Sequence, residues 1–306
     1  MRKINTYINY VKIARLDHWI KNFFALPGYL LAIGIVRENQ QVLELKVTRL
    51  CLAAVALCIA SSANYTLNEW LDRESDRYHP TKKLRPSALG LVTSRGIYTQ
   101  YILLSTGSVL LSMYLDKIHF ALILSFLALG VIYNAEPLRA KNVIYLDVII
   151  ESANNPVRFS FGWFLILDTP PPSSALFGYW AIGAFMMSVK RYSEKKNTFL
   201  KYSSELNSSK YRRSLAVYSE QKLLDMCIFY ALLSSAMFGI FLEKYSRWMA
   251  ISFPFLALFI IQYLRLANKA ESSAENPEKL FKEKYLLVSL LLLIISISFP
   301  IIMRLK

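Results

Sequence analysis

Asn68-Glu69-Trp70-Leu71-Asp72-Arg73-Glu74-Ser75-Asp76, at the end of a long apolar run, is the stretch that decides how the whole chain is interpreted. If the helix of the apolar run continues through it, Asn68, Asp72 and Asp76 recur every four residues and project toward one side. Oxygen ligands at this spacing suit Mg²⁺, which proteins hold with a few carboxylates plus substrate phosphates. The pattern favours a magnesium and diphosphate site over a solvated loop of mixed charge.

A basic segment follows immediately: Arg77-Tyr78-His79-Pro80-Thr81-Lys82-Lys83-Leu84-Arg85-Pro86. Lysine and arginine side chains bind phosphate oxygens through charge-assisted hydrogen bonds. We therefore expect Arg77, Lys82 and Arg85 to contact substrate phosphate groups, with His79 as a further candidate.

The composition is that of a polytopic membrane protein. The 306 residues are 55% hydrophobic and carry a net charge of +15, and the mean hydropathy is +0.33. A helix needs roughly 20 apolar residues to cross a bilayer. About nine segments are long enough, near 18–36, 50–69, 97–114, 118–134, 143–167, 174–190, 222–242, 248–266 and 285–303. The sequence predicts an all-α membrane protein with a single polytopic domain, residues 1–306.

The distribution of Lys and Arg orients these spans. With the N-terminus in the cytoplasm, the inner segments carry 26 Lys or Arg residues and the outer segments carry 8. The positive-inside rule then supports an odd number of spans with the C-terminus outside, and we expect the chain to lie in the plasma (inner) membrane. Because this bias accounts for most of the positive charge, no nucleic-acid partner is predicted.

The fifth span carries a polar stripe that a lipid-facing helix would not tolerate. Asp147, Glu151, Asn154, Asn155 and Arg158 fall within about 100° of arc on one helix face. Charged side chains inside a bilayer usually face a bundle interior or a water-filled cavity and form functional sites. The alternative is an internal ion pair, with Arg158 neutralising Glu151 to tie helices together.

Three further segments near the inner ends of spans supply candidate ligands for a substrate. Basic residues there are also expected from interfacial anchoring and from the positive-inside rule, and Lys190 and Glu194, four residues apart, could simply pair on a helix surface. The candidates are Arg15 and Lys21 at the first span, Tyr133, Arg139 and Lys141 after the fourth, and Lys190, Arg191 and Glu194 at the end of the sixth.

Other common site types are disfavoured. The three cysteines form no CxxC pair and have no histidine neighbours at metal-binding spacing. No GxSxG, P-loop or GxGxxG motif occurs. Acyl-transfer and NTPase functions are therefore weakly supported.

Two of these segments resemble motifs of the UbiA superfamily of intramembrane prenyltransferases. Asn68-Glu69-x-x-Asp72-x-x-x-Asp76 is similar to its first aspartate-rich motif, NDxxDxxxD, with Glu69 where Asp is usual. Tyr133-x-x-x-Pro137-x-Arg139-x-Lys141 looks like its YSxPPxRxK segment. The resemblance implies a bundle of about nine transmembrane helices around a cytoplasm-facing cavity, with Mg²⁺ as the cofactor.

Within the superfamily, the chain most resembles the decaprenyl-phosphate phosphoribosyltransferases. The matching segments are Arg15-x-x-x-Trp19-x-Lys21-Asn22, Asp76-Arg77-x-His79-Pro80-Thr81-Lys82-Lys83-x-Arg85-Pro86 and Lys190-Arg191-Tyr192-x-Glu194. This likeness implies transfer of 5-phosphoribose from phosphoribosyl diphosphate to a polyprenyl phosphate. Two stretches depart from the subfamily pattern, namely 147–158, which is more polar, and Arg85-Pro86-Ser87-Ala88-Leu89-Gly90 in place of RPIASG.

A charge argument bears on the choice of donor. Superfamily members that prenylate aromatic acceptors typically carry a second aspartate-rich motif after the sixth span, whereas this chain has Lys190 and Arg191 there. Two cations suit a second anionic group better than a second Mg²⁺. The alternatives are transfer of a prenyl group from prenyl diphosphate to an aromatic or other lipid-soluble acceptor, and a non-enzymatic lipid transporter or scaffold.

The expected roles combine the residue patterns with the resemblance. Asn68, Asp72 and Asp76 are the expected metal ligands; Asp72, Asp76, Asp147 and Glu151 are the expected catalytic residues. The remaining candidates would bind substrate: Arg15, Lys21, Arg77, Lys82, Arg85, Tyr133, Arg139, Lys141, Asn154, Arg158, Lys190, Arg191 and Glu194. Membrane lipids are expected partners, and homo-oligomerisation is left open.

Overall fold

The fold is helical throughout the part of the chain that the structure describes. The computed structural model describes residues 2–35, 40–197, 211–245, 247–269, 272–275, 280 and 282–304. Within those ranges there is no β-strand. The predicted all-α class is confirmed.

Twelve α-helices are described, and several are joined by short 3₁₀ turns. The α-helices are α1 (Arg2–Ala14), α2 (Leu26–Ile35), α3 (Gln40–Leu71), α4 (Arg73–Asp76), α5 (Ser94–Leu115), α6 (Lys117–Asn134), α7 (Leu146–Trp163), α8 (Ser173–Lys196), α9 (Arg213–Val217), α10 (Glu220–Tyr245), α11 (Phe253–Leu266) and α12 (Lys284–Arg304). The 3₁₀ segments are Leu16–Ala25, Lys82–Leu84, Ala140–Asn142, Arg247–Ser252 and Ser273–Glu275.

The long helices coincide with the predicted spans. Among the described residues, three stretches are both long and apolar enough to cross a membrane by themselves: Val47–Leu71, Lys117–Asn134 and Glu220–Lys244. Helix α7 is not among them, and it carries three charged side chains, Asp147, Glu151 and Arg158, within its 18 residues. The total of nine spans stays a prediction.

The first predicted span, 18–36, is not one continuous α-helix. Arg15 adopts a left-handed backbone conformation with φ 51° and separates α1 from the 3₁₀ segment Leu16–Ala25. The α-helix begins only at Leu26. Pro27 explains this start, because proline lacks an N–H and is tolerated in the first turn of an α-helix but not in its interior. Residue 36 lies outside the described residues.

Helices α2 and α7 touch backbone to backbone through two glycines. A Cβ atom added at Gly28 would lie 2.0 Å from the carbonyl oxygen of Phe159, and one added at Gly162 would lie 2.0 Å from that of Ala25. Small residues at such contacts allow the close helix approach on which packing inside membranes depends. This contact fixes α7 against the N-terminal part of the chain.

We expect Gly162→Ala to destabilise the fold, by about 1–3 kcal/mol, because the added methyl group would force the backbone of α7 away from Ala25. Gly107→Ala on α5 is the matched control, since a Cβ atom there meets nothing within 4 Å and the helix gains from losing a glycine. Thermal unfolding in detergent gives the melting temperature of each variant. Equal melting temperatures for the two variants would contradict the proposed close contact.

Helix packing brings the polar helix ends together. Helix α7 packs against α2, α6 and α8, and α3 packs against α5 and α6. The start of α7 and the end of α8 lie on the same side, because a short connection joins the opposite ends of these two antiparallel helices. The polar stripe of α7 therefore faces the end of α3 and the last turns of α8.

Candidate functional site

A cavity of about 790 Å³ opens between these helices. Most of the residues predicted from sequence to form the site line its wall. They are Arg15, Lys21, Asn68, Asp72, Lys82, Arg85, Tyr133, Glu151, Asn154, Arg158, Lys190, Arg191 and Glu194. The cavity thus joins the aspartate-rich end of α3 with the stripe of α7 and the end of α8.

Five predicted residues do not line the cavity: Asp76, Arg77, Arg139, Lys141 and Asp147. Four of them contact a lining residue and support it from behind. Arg77 does not: its side chain is 57% exposed and pairs with Glu74 at 2.9 Å. Because Glu74 lies three residues earlier, on the same helical turn, it holds Arg77 on the outer surface, contrary to the prediction of a phosphate contact.

Asp72 lines the cavity and is held in place by a network of hydrogen bonds. Its Oδ1 accepts from Arg139 at 3.1 Å and from Lys141, and its Oδ2 accepts from Asn68 Nδ2 at 3.3 Å. The Oδ1 of Asn134 accepts from Lys141 at 3.0 Å and also from Asn68. Arg139 and Lys141 therefore position Asp72 from behind the cavity wall.

Asp76 is fully buried next to this network, with 1% of its surface exposed. Its Oδ2 accepts a hydrogen bond from Arg85 Nη1 at 2.6 Å. Its Oδ1 is buried and has no hydrogen-bond partner among the described residues. An unpaired buried carboxylate oxygen is costly, so this atom is available to a ligand or a metal ion.

The residues at this end can hold Mg²⁺ only together with a phosphate ligand. The described residues contain no group of three Asp, Glu, His or Cys side chains able to hold a metal ion. Asn68 and Asp72 do present oxygen atoms to the cavity, and Asp76 has one unpaired oxygen nearby. Since Mg²⁺ commonly takes only one or two carboxylates when substrate phosphates and waters complete its shell, these three residues fit that ion.

Arg191 is the centre of a second buried network, with 1% of its surface exposed. Its Nε donates to Asp147 Oδ2 at 2.9 Å, and its Nη1 donates to Glu194 Oε2 at 2.5 Å. Asp147 also accepts from Tyr218 at 2.7 Å. Asp147, predicted to be catalytic, is therefore a buried partner that orients Arg191.

The hydroxyl group of Tyr133 has a defined direction. Arg191 Nη2 donates to its oxygen at 3.2 Å and Arg212 Nη1 donates to it at 3.3 Å. A phenolic oxygen accepts about two hydrogen bonds and donates one. Both acceptor positions are filled by guanidinium groups, so the O–H of Tyr133 is left to donate into the cavity that this side chain lines.

The cavity has an excess of positive charge. Its charged lining residues comprise eight cations, Arg15, Lys21, Lys82, Arg85, Arg158, Lys190, Arg191 and Arg212, and four anions, Asp72, Glu151, Glu194 and Glu275. Among the described residues, only Arg85 and Arg191 of these cations form an ion pair with a carboxylate. Such a surface attracts an anionic ligand strongly.

Arg158 lies deepest along α7, about 18 Å from its start at a rise of 1.5 Å per residue. Its Nε donates to Asn22 Oδ1 at 3.2 Å, and its guanidinium lies 4.9 Å from the centre of the Phe126 ring. No ion pair between Arg158 and Glu151 occurs in the described chain, so the alternative of a structural tie between these two side chains is not observed. The charge of Arg158 is available to a ligand.

Several lining residues were missed by the sequence analysis. Arg212 comes from the long basic segment after the sixth span, where an excess of Lys and Arg is expected anyway. Glu275 comes from the connection before the last helix and accepts from Ser193 at 2.7 Å. Asn22, which contacts Arg158 but does not line the cavity, does have a signal, since it stands inside the N-terminal motif. The other two are recognisable only from their contacts.

Comparison with known proteins identifies the family. The sequence model of the UbiA prenyltransferase family matches residues 23–287. This chain belongs to that family. It is therefore a transferase and an integral membrane protein, as predicted from its motifs and its apolar helices.

Two curated relatives of this UbiA family member have the same name. Decaprenyl-phosphate phosphoribosyltransferase from Mycolicibacterium smegmatis is 30% identical over 216 residues, which cover 70% of this chain and 63% of the relative. The protein of that name from Corynebacterium glutamicum is 27% identical over 289 residues, covering 87% and 79%. The match thus spans less than two thirds of the first relative's length.

A solved structure shows the same fold. A UbiA homolog from Archaeoglobus fulgidus, bound to DMAPP and Mg²⁺, superposes with a TM-score of 0.69 over 93% of this chain and 99% of the homolog. The two sequences are 14% identical, so the likeness concerns the fold alone. The predicted UbiA-like bundle is confirmed.

Lys82 is the cavity cation whose charge depends most on pH among the groups outside the membrane spans. Burial, together with the neighbouring Arg85 guanidinium, lowers the pKa of its ammonium group to about 7. Its Nζ contacts the hydroxyl of Tyr211 and lies 4.7 Å from the centre of that ring. Lys82 is therefore charged below pH 7 and loses its charge above it.

We expect the affinity for inorganic diphosphate to fall as the pH rises from 6 to 8.5, relative to a Lys82→Arg variant that stays charged. We expect the ratio of wild-type affinity to Lys82→Arg affinity to fall on the order of tenfold over this range, because wild type loses one charged hydrogen bond. Taking the ratio at each pH cancels the ionisation of diphosphate itself. A ratio that stays constant over this range would contradict the assignment of Lys82 as a phosphate ligand.

Proposed function

We propose that this protein is a magnesium-dependent transferase that moves 5-phosphoribose from phosphoribosyl diphosphate to a polyprenyl phosphate. The proposal places the reaction at the cytoplasmic side of the plasma membrane, in a single nine-span domain with its C-terminus outside. It is supported by the two relatives named for this activity and by the charges of the cavity.

The distribution of the unpaired cations is the observation that carries the proposal. Six cavity cations lack a carboxylate partner among the described residues, and they come from different elements: Arg15 and Lys21 near the first span, Lys82 in the loop after α4, Arg158 on α7, Lys190 on α8, and Arg212 before α9. Because these cations come from several separate elements around the cavity, a single diphosphate group would leave some of them without an anionic partner. A donor with a second phosphate group, together with a phosphorylated acceptor, matches them better than prenyl diphosphate does.

The donor diphosphate would lie at the acidic end of the cavity. Asn68, Asp72 and Asp76 would hold Mg²⁺, which when bound supplies positive charge to the leaving diphosphate. Lys82 and Arg85 would bind diphosphate oxygens. In this arrangement Arg139 and Lys141 hold the carboxylate of Asp72 in place rather than contacting phosphate.

The second anionic group would bind along α7 and α8. Arg158 and Lys190 line the cavity and form no ion pair with a carboxylate among the described residues, and the hydroxyl of Tyr133 would donate to the bound group. Lys21 and Arg15 would contact the phosphate of the acceptor near the first span. The polyprenyl tail would extend between helices into the lipid.

Bond formation then needs little proton transfer. A phosphate oxygen of the lipid attacks the anomeric carbon of the ribose, and the bond to diphosphate breaks as that group leaves with the electron pair. Because the attacking oxygen is already ionised near neutral pH, no general base is required. Positioning and electrostatic stabilisation would provide the rate enhancement.

A donor-competition experiment tests the proposal. Purified protein is incubated with Mg²⁺, a polyprenyl phosphate and either labelled phosphoribosyl diphosphate or labelled prenyl diphosphate, and the product lipid is analysed by mass spectrometry. We expect the lipid to gain a phosphoribosyl group. Prenyl transfer without phosphoribose incorporation would replace this function by the alternative reaction, and lipid movement without covalent change would indicate a transporter.

A further inference from the structure

Two hydrogen-bond acceptors belong to cavity-lining residues of α7 and have no partner in the part of the chain that the structure describes. The carboxylate of Glu151 lines the cavity and has no hydrogen bond or ion pair within the described ranges. Asn154 lines it too, and its Oδ1 is buried with no hydrogen-bond partner. The Nδ2 of Asn154 donates to the backbone carbonyl of Glu151 at 3.0 Å, which leaves the amide oxygen directed elsewhere.

No cation forms an ion pair with Glu151 within the described residues. Arg158 Nε donates to Asn22, and Arg191 is engaged by Asp147 and Glu194. A phosphate group next to this carboxylate would be repelled by its charge. A hydroxyl group, in contrast, would donate a charge-assisted hydrogen bond to it. Within a cavity suited to anions, this patch therefore favours a neutral hydrogen-bond donor.

The two acceptors are placed to be used together. Residues three apart on a helix lie about 5–6 Å from each other at their Cβ atoms, so Glu151 and Asn154 can reach neighbouring hydroxyl groups of one small ring. We infer that these two residues form a subsite for the ribose hydroxyls of the donor and select a sugar donor over a prenyl donor. The inference rests on the proposed function and specifies which residues determine its donor.

The selectivity follows because a prenyl donor would leave the acceptors of Glu151 and Asn154 without hydrogen bonds. An isoprenoid chain carries no hydroxyl groups, so it would bury both acceptors without a partner. Sites built to hydrogen-bond a substrate hydroxyl discriminate strongly against analogues that lack it, for this reason. The polar stretch 147–158, which departs from the subfamily pattern, thereby acquires a role in this chain.

The test compares two donors in two proteins. Values of kcat/KM are measured with Mg²⁺ and polyprenyl phosphate for phosphoribosyl diphosphate and for its 2-deoxy analogue, using wild type and Glu151→Leu. We expect wild type to prefer the natural donor by on the order of 10- to 100-fold, and the variant to lose most of that preference. A purely structural effect would lower both values equally and leave their ratio unchanged.

One control variant and one second test variant accompany this experiment. Glu74→Leu removes a carboxylate that is 64% exposed, outside the cavity, and should retain the wild-type ratio. Asn154→Ala is the second variant in case Glu151→Leu does not fold. If wild type uses phosphoribosyl diphosphate but both variants keep its preference, the hydroxyl subsite is refuted while the proposed function stands. If wild type accepts no phosphoribosyl donor, the proposed function itself fails.

Discussion

Replacing Asp72 by Asn is expected to lower the rate of transfer by on the order of 10³-fold, the scale seen when a group that stabilises developing charge is removed. The substitution removes the only carboxylate of the expected metal ligands that lines the cavity. It also takes the negative charge away from Arg139 and Lys141, which both donate to Asp72 Oδ1. Initial rates measured over a range of Mg²⁺ concentrations check this expectation.

The control for Asp72→Asn is the same substitution at an exposed position. Asp225 lies on α10 and accepts from Gln221 at 2.8 Å on the helix surface, so Asp225→Asn should leave the rate unchanged. If Asp72→Asn keeps a third or more of wild-type activity at every Mg²⁺ concentration, the acidic end of the cavity is not the metal site.

Arg191→Met should have the largest effect on stability, a loss of about 3–5 kcal/mol in the free energy of unfolding. Its guanidinium is 1% exposed and binds Asp147, Glu194 and Tyr133 at once. Removing it leaves two buried carboxylates without their common cation. Thermal unfolding in detergent measures the loss.

Two comparisons distinguish this effect from a general loss of an arginine. Arg49 pairs with Asp116 at 2.8 Å, but its side chain is 42% exposed, so Arg49→Met should cost at most about 1 kcal/mol. Adding Asp147→Asn to Arg191→Met should restore part of the stability, because one stranded charge is removed. A similar loss for Arg191→Met and Arg49→Met would show that the buried network contributes little.

Local sequence patterns predict the helices of this protein well, because long apolar runs leave a membrane chain few other structures. They do not predict where a helix changes type. The break at Arg15 depends on a left-handed backbone conformation, and the 3₁₀ segment after it depends on contacts with α3 and α7. Hydropathy contains no information on either.

For the candidate site, too, the sequence predicts some features and not others. The 3.6-residue period places Asp147 and Glu151 on one face of α7, yet only Glu151 reaches the cavity. That face is shared between the cavity and α8, and the position of Arg191 on α8 determines that Asp147 is covered. To tell the two residues apart, one must know how far α7 and α8 are each rotated about their own axes when they pack together. The sequence of one helix does not give these rotations. The same holds for Arg212, whose contact with Tyr133 joins residues 79 positions apart.

The hydroxyl of Tyr133 has a consequence for inhibitor chemistry. Because two guanidinium groups already donate to its oxygen, this tyrosine is better placed to donate its proton to a bound compound than to accept one. An amine or other proton-bearing group at that point would find no counterpart and would face two fixed positive charges. Effective inhibitors of this cavity should instead present a sulfonate, carboxylate or ether oxygen to Tyr133.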